Sequence, residues 1–179
     1  MRKAMVVLRA TQRVLKLLPE SVGSSVASTT ALGDWYVNRT VVDRQPLLLL
    51  VSSTSLLSVI TPARDVKGLP RRLAAIVEER LRRIGIDENT LASEVDATSV
   101  VTVAKTVDRS ITGQMVDFAK AIPYYLPESG WSEGELKAVE DRLAETPCRA
   151  SGPRQGVIFP REVAFGLLES TWSPGVIKH

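Results

Sequence analysis

Lys105, Thr106, Asp108, Arg109 and Ser110 fall within six consecutive positions, and Asp117 follows on the same segment. Two cations beside hydroxyls can hold an anion, and a carboxylate among them can neutralise a cation or move a proton. No other stretch of the chain gathers polar chemistry so densely. The flanking residues say what must position it. Val100, Val101, Thr102 and Val103 carry the β-branched pattern of a strand, while Ile111, Met115, Phe118 and Ile122 recur at helical spacing. The cluster therefore sits where a strand gives way to a helix.

That position allows two readings. Asp108 stands where a helix N-cap is expected, and its side-chain oxygen there satisfies the amide of Ser110 or Ile111, contributing about 1 kcal/mol. Alternatively, Lys105 and Arg109 beside free amides and the positive end of a helix dipole can bind a phosphate or a nucleic-acid backbone. Asp108 opposes that reading, because its carboxylate competes for the same place. Gly113 costs the helix up to about 1 kcal/mol relative to alanine, so close packing against a strand is expected there. Asp117, one turn beyond Gly113, is expected to pair with Lys120, Arg109 or Arg80. As a catalytic carboxylate it would need a partner acid, base or metal ligand, which spacing does not place.

Other catalytic chemistries lack their parts. The single histidine is His179 and the single cysteine is Cys148, between Pro147 and Arg149, so neither a histidine-based triad nor a multi-thiolate zinc site is expected. No GxxxxGK[ST], GxGxxG or HExxH pattern occurs, and no catalytic residue, cofactor or metal is assigned. Trp35 and Tyr36 follow Gly33 and Asp34 at a turn-to-strand boundary, either as a stacking surface for bases or as a lid on the core.

The chain has 179 residues, 44% hydrophobic and 24% charged, which suits one folded unit. Arg9, Arg13 and Lys16 interrupt the apolar start before it reaches the length of an export signal, and no apolar run approaches the roughly 20 residues of a membrane helix. A cytoplasmic protein is expected. The net charge of +3 is unevenly spread. Residues 1–30 are basic, whereas 128–145 carry Glu128, Glu133, Glu135, Glu140, Asp141 and Glu145.

Strands are expected over 5–9, 35–42, 47–51, 56–60 and 100–105, the middle three forming an antiparallel meander with turns at 43–46 and 52–55. Helical turns over 12–18 end at Pro19, and a Ser-, Thr- and Gly-rich loop follows over 20–30. The spacing of residues 69, 73, 76, 77, 81 and 84 predicts a helix over 69–84, with Glu78–Arg82 and Glu79–Arg83 pairs on its flanks. Arg80 lies beside its apolar stripe and is expected to snorkel, with its head in water. Gly85 is read as a C-cap, after which Ile86-Asp87-Glu88 starts a short helix to about Glu94. The helix over 110–122 ends or kinks at Pro123, Ser132 and Glu135 form a capping box for an acidic helix to 145, and 160–170 makes a docked helix. The fold expected is α+β: a mixed, largely antiparallel sheet of four to five strands, covered by the helices over 69–84 and 110–122 sharing one core, plus shorter C-terminal helices. Residues 1–148 are read as a single domain and 149–179 as an extension docking on it.

The runs Val6-Val7-Leu8-Arg9-Ala10-Thr11-Gln12, Ala31-Leu32-Gly33-Asp34-Trp35-Tyr36-Val37-Asn38, the 46–51 strand and Ala104-Lys105-Thr106-Val107-Asp108-Arg109-Ser110 resemble a bacterial domain-of-unknown-function family, number 6933, from residue 5 to about 148. The pattern from Asp108 to Phe118 is the most recognisable part. That family commonly has Asn at the position of Asp108, and Gln114 and Val116 also depart from it. The resemblance implies no established activity. Relatives fused to modules of plasmids or mobile elements imply a nucleic-acid setting.

The leading functional expectation is a non-enzymatic binding module contacting nucleic acid through Arg9, Arg13, Lys16, Arg71, Arg72, Lys105 and Arg109, with Thr106, Asp108, Ser110 and Asp117 in the same site. One alternative is a protein-interaction module, antitoxin or inhibitor-like, whose acidic 128–145 segment faces a basic partner. A second is a nuclease-like enzyme, which requires Asp117, Lys105 and Arg109 to converge.

Overall fold

Val6–Ala10 (β1) is apolar except at Arg9 and is buried along its whole length, as a strand with parallel neighbours on both sides must be. The computed structural model describes residues 4–19, 27–150 and 156–173, so residues 20–26 of the loop expected over 20–30, and His179, lie outside the described residues. Around β1 assemble Trp35–Val42 (β2), Gln45–Ser52 (β3), Ser58–Pro62 (β4) and Val101–Lys105 (β5), in the order β4-β3-β2-β1-β5. The β2–β3 and β3–β4 pairs are antiparallel, whereas β1 pairs in parallel with both β2 and β5. The expected meander is therefore present, and the sheet is mixed. Asp43 and Arg44 close the β2–β3 hairpin with φ of 50° and 66°, the two-residue turn whose twist matches the strands it joins. Leu56, at φ 63°, belongs to the next turn, which is why β4 starts at Ser58 rather than at residue 56.

Helices α1 (Gln12–Leu15), α2 (Leu69–Ile84), α3 (Glu88–Thr98), α4 (Arg109–Tyr125), α5 (Glu133–Ala144) and α6 (Pro160–Trp172) complete the unit, together with a small antiparallel pair, Cys148–Ala150 (β6) and Gly156–Ile158 (β7), that sequence patterning missed. Alternation along the strands sends Leu8, Trp35, Val37, Leu48 and Leu50 to one face, against Leu73, Val77 and Leu81 of α2 and Ala164 and Leu168 of α6. Tyr36, Leu47, Leu49 and Val51 go to the other, against Ile111, Met115, Phe118 and Ile122 of α4 and Leu136, Val139 and Leu143 of α5. The helices expected to share a core instead cover opposite faces, because both sides of the sheet are apolar. Pro123 does not end α4, which continues to Tyr125 before Leu126 turns extended.

Arg80 corrects a second expectation. Its side chain is 1% exposed and does not reach water. Nε donates to the Ser58 carbonyl at 3.0 Å, Nη2 to the Glu140 carbonyl at 3.0 Å and Nη1 to Asp141 at 3.0 Å. Arg83 completes the knot, donating to Glu140 and Asp141 at 2.8 Å each, so Glu79 pairs with Lys137 of α5 instead of with Arg83. The Glu140 carboxylate also accepts from the Ile60 amide at 3.1 Å, which occupies the open edge of β4. Burial pushes its carboxyl above the ordinary range despite both arginines.

A second buried carboxylate has no cation at salt-bridge distance among the described residues. Glu94 of α3 is fully buried and accepts from the amides of Ala31 and Leu32, at 2.9 and 3.1 Å, and from the Trp172 indole at 2.6 Å. It ties the loop before β2 and the end of α6 to α3. Burial raises its pKa above the ordinary 4.5, the three donors opposing.

Candidate anion-binding end of the sheet

Strand direction decides which polar residues meet. β1, β2, β4 and β5 run the same way, so the residues after their carboxyl ends lie at one end of the sheet. In open α/β sheets that end is the usual place for ligands. The junction singled out from sequence is there: β5 ends at Lys105, and α4 begins at Arg109.

Asp108 caps α4. It accepts from the Ser110 amide at 2.8 Å and the Ser110 hydroxyl at 2.6 Å, and these bonds, the hydroxyl first, hold its carboxyl below the ordinary range against partial burial. The Asp108 amide in turn donates to the Tyr36 hydroxyl at 3.3 Å. Burial pushes the Tyr36 phenol up. Tyr36 and Trp35 are both buried, in opposite cores, so they form no stacking surface.

Arg9 does not contribute a free cation, contrary to expectation. It is 5% exposed, with Nε against Asp34 at 2.5 Å and Nη1 donating to the Lys105 carbonyl at 3.0 Å. Its role is to brace β1, the Asp34 loop and the end of β5, and so to fix where Lys105 leaves the sheet. Thr11 makes a similar brace by donating to the Asn38 side chain at 2.7 Å.

Lys105 and Arg109 remain exposed, with no carboxylate at salt-bridge distance among the described residues. Thr106 is half-buried between them, and Ser110 is exposed but engaged with Asp108. Arg13, on the helix α1 that follows β1 and touches β5, and Lys16, just past its end, are also exposed, with no carboxylate at salt-bridge distance among the described residues. Arg44 follows β2, and Arg64, Lys67, Arg71 and Arg72 follow β4. Of these, Arg64 pairs with Glu133, and Arg72 is spent on the carbonyls of Arg64 and Asp65. The acids at this end are Asp43, which accepts from the Trp131 indole, Asp65, which accepts from the Gly68 amide, Asp108, and Glu133, which is held by Arg64. Arg44, Arg64 and Lys67 escaped the sequence reading, because only strand direction puts them at the same end of the sheet as Lys105, although β4 lies four strands from β5 and Arg44 lies seven positions past Val37, the β2 residue level with Ala10 and Lys105.

Asp117 is not part of this group. It is exposed, and lies about 12 Å along the α4 axis from Arg109. Its charge acts instead on Cys148, whose buried thiol is pushed up to about 11 by desolvation first and Asp117 second. The expected reason for Gly113 is also corrected: a side chain there would meet open space, not a strand. The acidic segment is largely engaged within the chain, Glu140 and Asp141 by Arg80 and Arg83, Glu133 by Arg64 and Glu145 by Arg161. Among the described residues no three of His, Cys, Asp and Glu come together as metal ligands, and no helix is long and apolar enough to cross a membrane.

No curated protein matches this sequence. The family model for the domain of unknown function DUF6933 does match, over residues 7–163, reaching past β6 and β7 into α6. That span covers most of the two cores and the whole strand-to-helix junction, and the chain belongs to the DUF6933 family.

Proposed function

We propose that this protein is a non-enzymatic binding module that contacts a nucleic-acid backbone with the cations at the carboxyl end of its sheet. The observation carrying this reading is strand direction: four like-directed strands end on one side of the sheet and are followed there by Arg13, Lys16, Arg44, Lys67, Lys105 and Arg109, against Asp43, Asp65 and Asp108, each engaged in a local hydrogen bond, and Glu133, paired with Arg64. A modest net charge attracts a polyanion when it is concentrated in this way. The separation of Asp117 from Lys105 and Arg109 speaks against nuclease chemistry, and the internal pairing of the α5 acids against a basic protein partner.

The test is retention on DNA or RNA at low ionic strength, followed through a salt titration. Binding falls with added salt, with a log–log slope of about 0.7–0.9 per phosphate neutralised. Reversing Arg13, Lys16, Lys105 and Arg109 to Glu flattens that slope. No retention on either polymer at low salt disproves the reading.

A further inference from the structure

The outward face of α4 carries a second pattern that burial of the helix does not explain. At about 100° per residue, Ile111, Met115, Phe118 and Ile122 point to the sheet, and Arg109, Gly113, Val116, Lys120 and Tyr124 fall in an arc about 80° wide directly opposite. This stripe faces solvent: Tyr124 is 88% and Val116 48% exposed, and Arg109 and Lys120 have no carboxylate partner among the described residues. Asp117 borders it without entering. Gly113, whose missing side chain leaves empty space and serves no internal contact, lies in the middle, between the two cations. A helix that gives up about 1 kcal/mol for a glycine on its outer surface gains only a closer approach from outside.

We propose that this stripe is the track of a single nucleic-acid strand. Arg109 and Lys120 take phosphates, the strand passes close over Gly113, and Tyr124 stacks on an unpaired base. The proposal rests on the nucleic-acid reading above and extends it from a backbone to a single-stranded substrate. Charge complementarity argues for this occupant, since the arc holds two unpaired cations and no acid. The ring at its end argues for unstacked bases, because aromatic stacking is the sequence-tolerant way to hold a single strand and has no access to bases inside a duplex. From Arg109 to Tyr124 the track is about 22 Å long, room for several nucleotides.

The experiment is fluorescence anisotropy of a labelled thymidine oligonucleotide, and of the same length as duplex, against the full chain and five variants. Tyr124→Ala is expected to weaken single-strand binding about 5- to 150-fold, the loss of one stacked base, with Tyr124→Phe restoring it and duplex binding unmoved. Lys120→Glu weakens binding and flattens the salt dependence. Gly113→Gln weakens it several-fold while the protein melts no lower than the parent, which separates loss of the track from loss of fold. If Tyr124→Ala and Lys120→Glu bind like the parent while Arg13→Glu with Lys16→Glu does not, the track is wrong and the sheet-end reading survives. Duplex binding as tight as single-strand binding overturns the proposal in the same way. Self-association lost in Tyr124→Ala, without any effect on oligonucleotide, assigns the stripe to a second copy and overturns it too. Failure of both polymers to bind removes both readings together.

Discussion

Replacing Arg80 by Met exposes how α2, α5 and the β4 edge are held together. The guanidinium is 1% exposed and serves three acceptors at 3.0 Å, the carbonyls of Ser58 and Glu140 and the carboxylate of Asp141. Methionine fills most of the volume but removes a donor from those two carbonyls and leaves the buried Glu140 carboxylate with Arg83 as its one cation among the described residues, beside the Ile60 amide. Removing one partner of a buried pair costs about 3–5 kcal/mol. In a chain of this size each kcal/mol lowers the melting temperature by about 2–4 °C, so a fall of about 6–20 °C is expected. That is a large part of the roughly 5–15 kcal/mol that holds a typical fold. Thermal unfolding followed by circular dichroism, with urea unfolding for the free energy, measures it. The double variant Arg80→Met with Glu140→Leu removes both buried charges and is expected to recover about 1–3 kcal/mol relative to the sum of the single changes. A fall below about 3 °C for Arg80→Met, or strict additivity of the pair, refutes the reasoning, since either means that the buried ions do not depend on each other.

Glu94 titrates at a higher pH folded than unfolded, so its contribution to stability is greatest below the ordinary 4.5 and declines as pH rises through its elevated pKa. Glu94→Gln should flatten that decline in urea unfolding series from about pH 5 to 8, and an unchanged slope removes Glu94 as its source. Asp108→Ala should cost about 1 kcal/mol through loss of the α4 cap, whereas Asp108→Asn should keep the cap and tighten oligonucleotide binding by removing a negative charge beside Lys105 and Arg109. Equal stability of the two variants would show that the cap contributes nothing. Cys148, with its thiol near 11 and buried, should resist alkylation at neutral pH in the folded protein and react once it is unfolded. Rapid labelling of native protein would contradict its placement.

Where periodicity was strong, sequence and structure agree closely: the 69–84 helix and the Trp35–Val42 strand have the expected bounds, because a uniform apolar stripe or alternating strand has one favourable register. The Asp108 cap and the capping box at Ser132 were legible for a similar reason, being local contacts between near neighbours. What could not be read depends on residues distant in sequence. Arg80 sits beside an apolar stripe in either reading, and only the arrival of α5, some sixty positions later, decides that its head is buried in a salt-bridge knot. The assignment of α2 and α4 to opposite faces follows from strand order, which periodicity does not specify. Arg9 illustrates the same point at the candidate site. Its charge marked it as a surface contact, but Asp34 and the Lys105 carbonyl claim it once β1 becomes the central strand. Arg13, Lys16, Lys105 and Arg109 were already grouped from sequence, whereas the place of Arg44, Arg64 and Lys67 at the same end of the sheet is a property of strand direction.

The central position of β1 also dictates a timetable for folding. Its register with β5 pairs Val6 with Val101, about 95 positions apart, while β2, β3 and β4 meet through short reversals. The hairpins can zip soon after their own residues are present, but β1 keeps one flank bare until β5, about 95 positions later, arrives. Closure of that seam carries the largest loop entropy in the sheet, and it must be complete before the Lys105 junction is anchored to β1.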